Sequence, residues 1–134
     1  SGSSDIAVGK TGRERFLAAI EPWHGNQVSV YRKRGSAWVR QVIDDALLDG
    51  HTIHAADLDG DGNDEIIAGC RGKPQSVYLY RFDGANWKRQ TLDDGGMASA
   101  ACAVADLSGH GRLDVACIGS ATQNLKVYEN LSNE

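Results

Sequence analysis

The chain has 134 residues and a formal net charge of −4, with no long basic stripe, so its length fits one small domain and nucleic acid is not an expected partner. Its apolar fraction of 41% suffices for a core, and sixteen glycines against two prolines indicate many tight turns. The longest small-apolar run, around 98–105, falls far short of the roughly 18 residues a membrane span needs, so no membrane contact is expected.

In chain order, Ser1–Ser4 reads as an appended leader and residues 5–134 as one folded segment. Asp5-Ile-Ala-Val-Gly9 reads as a strand. An insertion follows, through Arg15–Ile20 and Glu21-Pro-Trp-His-Gly-Asn26. From Val28 the chain repeats itself. Residues 28–57 align with 77–106 without a gap at an offset of 49, pairing Tyr31 with Tyr80, Gly35 with Gly84 and Trp38 with Trp87. A third copy begins where Asp114–Gly119 matches Glu65–Gly69 and Leu125-Lys-Val-Tyr128 matches Val77-Tyr-Leu-Tyr80. The repeats run roughly 5–57, 58–106 and 107–134, and Asp5–Gly9 resembles the Glu65–Gly69 element.

Alternating apolar and polar residues mark the strands within each unit. Val28 onward and Val77 onward lead to Gly-containing turns at 33–37 and 83–86. Trp38–Ile43 and Trp87–Leu92 are the next strands. Thr52–Ala56 and Ala101–Ala105 are small-residue strands, and Glu65–Gly69 and Asp114–Ile118 complete the set. Four short strands in about 49 residues, with no helical period, is the pattern of a β-propeller blade. The expected fold is therefore all-β, with blades of four antiparallel strands and about 2.7 blades per chain. The alanine-rich strand fits the innermost position, and Trp38 and Trp87 are expected on outer strands, packed between blades. Propellers close at four to eight blades, so a homo-oligomer of two or three chains is expected to complete the ring.

Asp57-Leu-Asp59-Gly-Asp61-Gly-Asn63-Asp64-Glu65 crowds carboxylates at every second position. A hard divalent cation resolves their repulsion, because it takes six to eight oxygens. The expected ligands are Asp57, Asp59 and Asp61, the Asn63 carbonyl and Glu65, with Ca2+ the expected ion and Mg2+ the alternative. An EF-hand is excluded, since Ala68 stands where its twelfth-position Glu is required. In the second loop, Asp106, Ser108 and Asp114 keep only part of the set and His110 replaces a carboxylate. That loop is expected to keep its turn and bind calcium weakly or not at all.

These residues resemble the FG-GAP/VCBS repeat family, whose pattern Ala-Asp-x-Asp-Gly-Asp-Gly-x-x-Asp is matched nearly position by position by residues 56–67, with Glu65 for the final Asp, and more loosely by residues 105–115. The resemblance implies a propeller with calcium-bearing loops, in a secreted, extracellular or periplasmic setting. The phrases Glu21-Pro-Trp-His-Gly, Gly50-His51, Leu92-Asp-Asp-Gly-Gly96 and Ile118-Gly-Ser resemble bacterial propellers related to aldos-2-ulose dehydratase. The expected role is a scaffold or binding module for a carbohydrate or protein ligand. The competing reading is a sugar dehydratase or lyase using His24, Glu21 or His51 for proton transfer. His51 and His54, three apart on a strand, are expected to face opposite sides. Three cysteines, an odd number, argue against a disulfide framework and favour buried free thiols, with a Cys102–Cys117 bridge possible but not required.

Overall fold

The computed structural model describes residues 2–131. Among them the chain forms eleven strands and no helix, so no helix is long and apolar enough to cross a membrane. Sheet 1 holds β1 (Asp5–Thr11), β2 (Glu14–Glu21), β3 (Gln27–Arg34) and β4 (Ala37–Asp44). Sheet 2 holds β5 (Gly50–Ala56), β6 (Glu65–Cys70), β7 (Val77–Phe82) and β8 (Trp87–Asp93). Sheet 3 holds β9 (Ser99–Ala105), β10 (Asp114–Gly119) and β11 (Leu125–Tyr128). Each sheet is an antiparallel meander in sequence order, joined by short turns.

The phase of the repeat differs from the expected one at the N-terminus. Asp5–Gly9 lies in β1 and pairs with Phe16–Ile20, so it occupies the first-strand position, as Ala55 and Ala56 do in sheet 2. Arg15–Ile20 is not an insertion but β2 itself. The cause is local. A tight turn at Gly12 (φ 60°) joins β1 to β2 where the later units carry an acidic loop, so the sequence marker of the repeat is missing from sheet 1. Sheet 1 is thus complete, and the repeat boundaries at 57/58 and 106/107 fall between the first and second strands of sheets 2 and 3.

Neighbouring sheets meet along their first strands: β5 packs against β1 and β2 on one side and β9 on the other. Small side chains permit this approach. A Cβ on Gly9 would stand 2.3 Å from the Phe16 ring and 2.9 Å from Ala55, and one on Gly69 would stand 2.4 Å from Ser99 Cβ. The core fills the two junctions. Phe16, Ile20 and Val28 of sheet 1 pack on Ile53, Ile66 and Tyr80 of sheet 2. Ile67 and Val77 of sheet 2 pack on Met97, Val115 and the two cysteines of sheet 3. Each fully buried side chain of this size contributes about 1.5–3 kcal/mol.

Trp87 meets the expectation for a tryptophan between sheets: its ring lies edge-on to Phe16, with centroids 5.3 Å apart. Trp38 does not. It stands half exposed on the outer face of sheet 1, where no further sheet among the described residues covers it. A polar contact also repeats across the junctions. The Tyr80 hydroxyl donates to Asp44 Oδ2 at 2.7 Å, and the Tyr128 hydroxyl donates to Asp93 Oδ2 at 2.6 Å. Burial, then the Asp44 carboxylate, pushes the Tyr80 hydroxyl far above its ordinary pKa. Arg89 joins Asp44 at 3.1 Å and lies over the Tyr78 ring.

The cysteines depart from the free-thiol expectation. Cys102 and Cys117 face each other in the β9–β10 register and form a disulfide. Sequence spacing does not reveal that facing, because it depends on the pairing register. Cys70 is the buried free thiol, its pKa pushed up to about 11 by burial.

Tyr80→Phe is expected to lose about 1.5–3 kcal/mol in urea unfolding, the worth of a hydrogen bond to a charged group. Replacing Cys102 and Cys117 together by Ala is expected to cost about 3 kcal/mol, the chain-entropy value for a loop closed by a sequence separation of 15. Both follow from chemical denaturation monitored by tryptophan fluorescence.

Candidate functional site

The loop after β5 curls around Asp57. Asp57 Oδ1 accepts the N–H of Gly60 at 2.9 Å and of Asp61 at 3.1 Å, while Oδ2 accepts that of Gly62 at 2.9 Å. Gly60 and Gly62 adopt φ of 77° and 89°, a region that glycine occupies without strain. Asp59 Oδ1 accepts the Asp61 N–H, and Asp61 Oδ1 accepts the Asn63 N–H. The turn thereby points three carboxylates inward, each offering an oxygen within 4.8 Å of the others. At about 4 Å, two like charges near a protein surface repel by roughly 4 kcal/mol. One guanidinium answers this repulsion: Arg81 Nε lies 3.3 Å from Asp59 Oδ2. Burial, and then the neighbouring Asp61, raises the Asp59 pKa, whereas the Asn63 N–H lowers that of Asp61.

The residues that supply the other expected ligands, the Asn63 carbonyl and Glu65, make hydrogen bonds of their own beside this trio. Asn63 turns its side-chain oxygen to the N–H of Gly12 at 2.7 Å, and Asp64 Oδ2 accepts the Lys10 N–H at 2.9 Å, which fastens the loop to sheet 1. Glu65 is buried beneath the loop, and its Oε2 accepts the Leu58 N–H at 2.8 Å. Burial raises its pKa. Glu65 therefore ties the start of the loop to its end.

The second loop repeats this frame without the charge. Asp106 accepts the N–H groups of Gly109 and Gly111, both at 2.8 Å, as Asp57 does with Gly60 and Gly62. Gly109 and Gly111 again have positive φ, 77° and 81°. Asp114 takes the role of Glu65: its Oδ2 accepts from the N–H groups of Leu107 and Ser108 and from the Ser108 hydroxyl, and its Oδ1 from the Asn130 N–H. Ser108 is thus spent on Asp114, and His110 faces Glu129 at 3.6 Å rather than the loop centre. The turn is kept, as expected, by backbone donors together with the Ser108 hydroxyl.

At the opposite end of the sheets, the structure brings His24 and His51 together, with ring centroids 5.2 Å apart. Trp23 stacks on His24, Arg71 Nη2 lies 3.2 Å from His24 Nδ1, and Asp49 Oδ1 lies 3.6 Å from the same nitrogen. His51 Nδ1 lies 2.6 Å from the Ala100 carbonyl oxygen of β9. Glu21 is not gathered here. Its carboxylate accepts from the Tyr31 hydroxyl and from Arg40 Nε, which outweigh burial and hold its pKa low. His54 sits farther along β5, opposite Ile67. Arg71 and Asp49 were not singled out from the sequence. Their only local signals are a Gly-Lys-Pro turn after Arg71 and, in the fold, the positive φ of Asp49 (54°), which Asp tolerates better than most residues.

The four donors on Asp114, foremost the Asn130 N–H, hold its pKa down at about 2. A depressed carboxylate adds stability that is full above its ordinary pKa and fades as pH falls through the folded value. Between about pH 4 and 2 the native chain should therefore lose part of its stability. Asp114→Asn should be less stable at neutral pH and show a shallower acid decline, read as the urea midpoint against pH.

Comparison with known proteins adds two likenesses. The chain is similar to aldos-2-ulose dehydratase of Phanerodontia chrysosporium, with 34% identity over 88 aligned positions that cover 53% of this chain and 10% of that protein. The chain thus spans about a tenth of the length of that relative. A family model described as the FG-GAP-like repeat matches residues 57–117, from the first carboxylate of the acidic loop to the second cysteine of the disulfide.

Proposed function

We propose that the chain is a calcium-binding, propeller-type scaffold or binding module that completes its ring by self-assembly. The observation that carries the metal reading is the convergence of the Asp57, Asp59 and Asp61 carboxylates around one point, with a single guanidinium beside them. Oxygen donors on a glycine-bearing loop suit a hard cation. Ca2+ fits the flexible turn better than Mg2+, which demands near-ideal octahedral geometry. The ion's role is structural: it neutralises the trio and stiffens a loop that already joins sheet 2 to sheet 1 through Asn63 and Asp64. Side-by-side sheets meeting along their first strands support the propeller reading. The described residues of one copy hold three sheets, so two such copies supply six, within the four to eight at which propellers close. A carbohydrate or protein ligand is the expected partner of such a scaffold.

A ligand bound only by the native state stabilises it by about 2.7 kcal/mol at a hundredfold excess over Kd. Calcium should therefore raise the melting temperature of the chain, and a chelator should reverse the rise. Asp59→Asn combined with Asp61→Asn should abolish the calcium response in calorimetric titration while the sheets remain folded. A full response in that double variant would sink the metal assignment.

A second reading is favoured by the meeting of His24 and His51 beside Arg71 and Asp49. Paired imidazoles near a guanidinium and a carboxylate can move a proton at a sugar carbon, and the similar protein named above is a dehydratase. In that case His24→Ala or His51→Ala should abolish dehydration of a keto-sugar. In a scaffold, neither change alters any turnover.

A further inference from the structure

The strand pairings superimpose the three sheets residue on residue. Ile6, Val8, Leu17, Tyr31 and Trp38 of sheet 1 occupy the same pairing positions as Ile53, Ala55, Ile66, Tyr80 and Trp87 of sheet 2. In sheet 2 this set is the face pressed into the junction with sheet 1, and Ile53 is 1% exposed. In sheet 1 the same face looks outward: Ile6 is 62% and Val8 57% exposed.

The other end of the chain shows the complement. Ala116, Ile118, Leu125 and Val127 of sheet 3 match Ala18, Ile20, Val28 and Val30 of sheet 1, the buried surface that receives sheet 2. On sheet 3 they face outward, with Leu125 68% and Val127 52% exposed. The chain therefore ends in two unlike apolar faces, one equivalent to each side of its own internal junction. Exposed apolar faces of this kind mark interaction surfaces.

Polar chemistry agrees. At the internal junctions Tyr80 and Tyr128 take their carboxylates from the preceding sheet, Asp44 and Asp93. The outward face of sheet 1 carries its own substitute, because Tyr31 and Arg40 both donate to Glu21. A sheet docked on it need bring no carboxylate, and the described part of sheet 3 has no fourth strand to carry one.

Building on the self-assembly reading above, we propose that the outer face of sheet 3 in one copy docks head-to-tail on the outer face of sheet 1 in a second copy, reproducing the internal junction. Such a heterologous contact closes into a ring when its rotation allows.

Two variants test this by light scattering and analytical ultracentrifugation across a concentration series. One carries Val8→Glu and Trp38→Glu; the other carries Leu125→Glu and Val127→Glu. All four side chains are exposed, so circular dichroism and the melting curve should show both variants folded. The like charge makes the two blocked faces repel. The native chain is expected to assemble, each variant alone to remain a 14.4 kDa monomer, and their mixture to give a 1:1 heterodimer and nothing larger. If the native chain assembles and either variant does too, this docking is wrong while self-assembly stands. Folded monomeric variants that fail to pair when mixed also overturn the docking. A native chain that stays monomeric throughout overturns both.

Discussion

The architecture depends on how closely the first strands of neighbouring sheets can approach. β1, β5 and β9 stand side by side, and every larger contact between sheets is set by that spacing. Close-packed interiors do not absorb an extra methyl where backbone and side chain already touch. Gly9 beside Phe16 and Ala55, and Gly69 beside Ser99, show how little room is left. With the inner strands held close, the sheets diverge outward, and the larger side chains, Phe16, Tyr80 and Trp87, fill the widening gap.

Two kinds of polar fastening act on this frame at different places. Toward the outside, the tyrosine–aspartate contact repeats at each junction and fixes how one sheet slides against the next. At one end, the acidic loop crosses between sheets: Asn63 and Asp64 accept backbone N–H groups from the β1–β2 hairpin, while Asp57 organises the turn and Glu65 ties its base. The loop is a bridge between sheets as well as a candidate ion site. Its partner after β9 keeps the backbone frame and the buried carboxylate without the charge cluster. The turn and the cation site are thus separable properties of one motif.

Much of this was legible in the residues. The 49-residue offset places β3, β4, β5, β7, β8 and β9 within a residue or two, and the alternating carboxylates mark the loop that gathers three of them. What was not legible depended on pairing. Sheet 1 lost its acidic marker to a tight turn at Gly12, so β2 read as an insertion. Glu65 closes the motif in sequence, but its burial and its division between the Leu58 N–H and Arg81, the guanidinium beside Asp59, show only in the fold. The Cys102–Cys117 bond and the meeting of His24 with His51 each join residues from different strands or sheets, and no local spacing encodes either. Trp38 and Trp87 are equivalent in sequence and differ only in what lies beside them.

The disulfide has a mechanical consequence. It joins β9 to β10, adjacent strands already zipped by backbone hydrogen bonds, in the sheet with three described strands. A load drawn along the chain from beyond β11 would peel that strand off one hydrogen bond at a time. At β10 the peeling would stop, because a covalent rung, not a hydrogen bond, then carries the force. Among the described residues, the disulfide thus confines such peeling to β11 and keeps β9 and β10 in register.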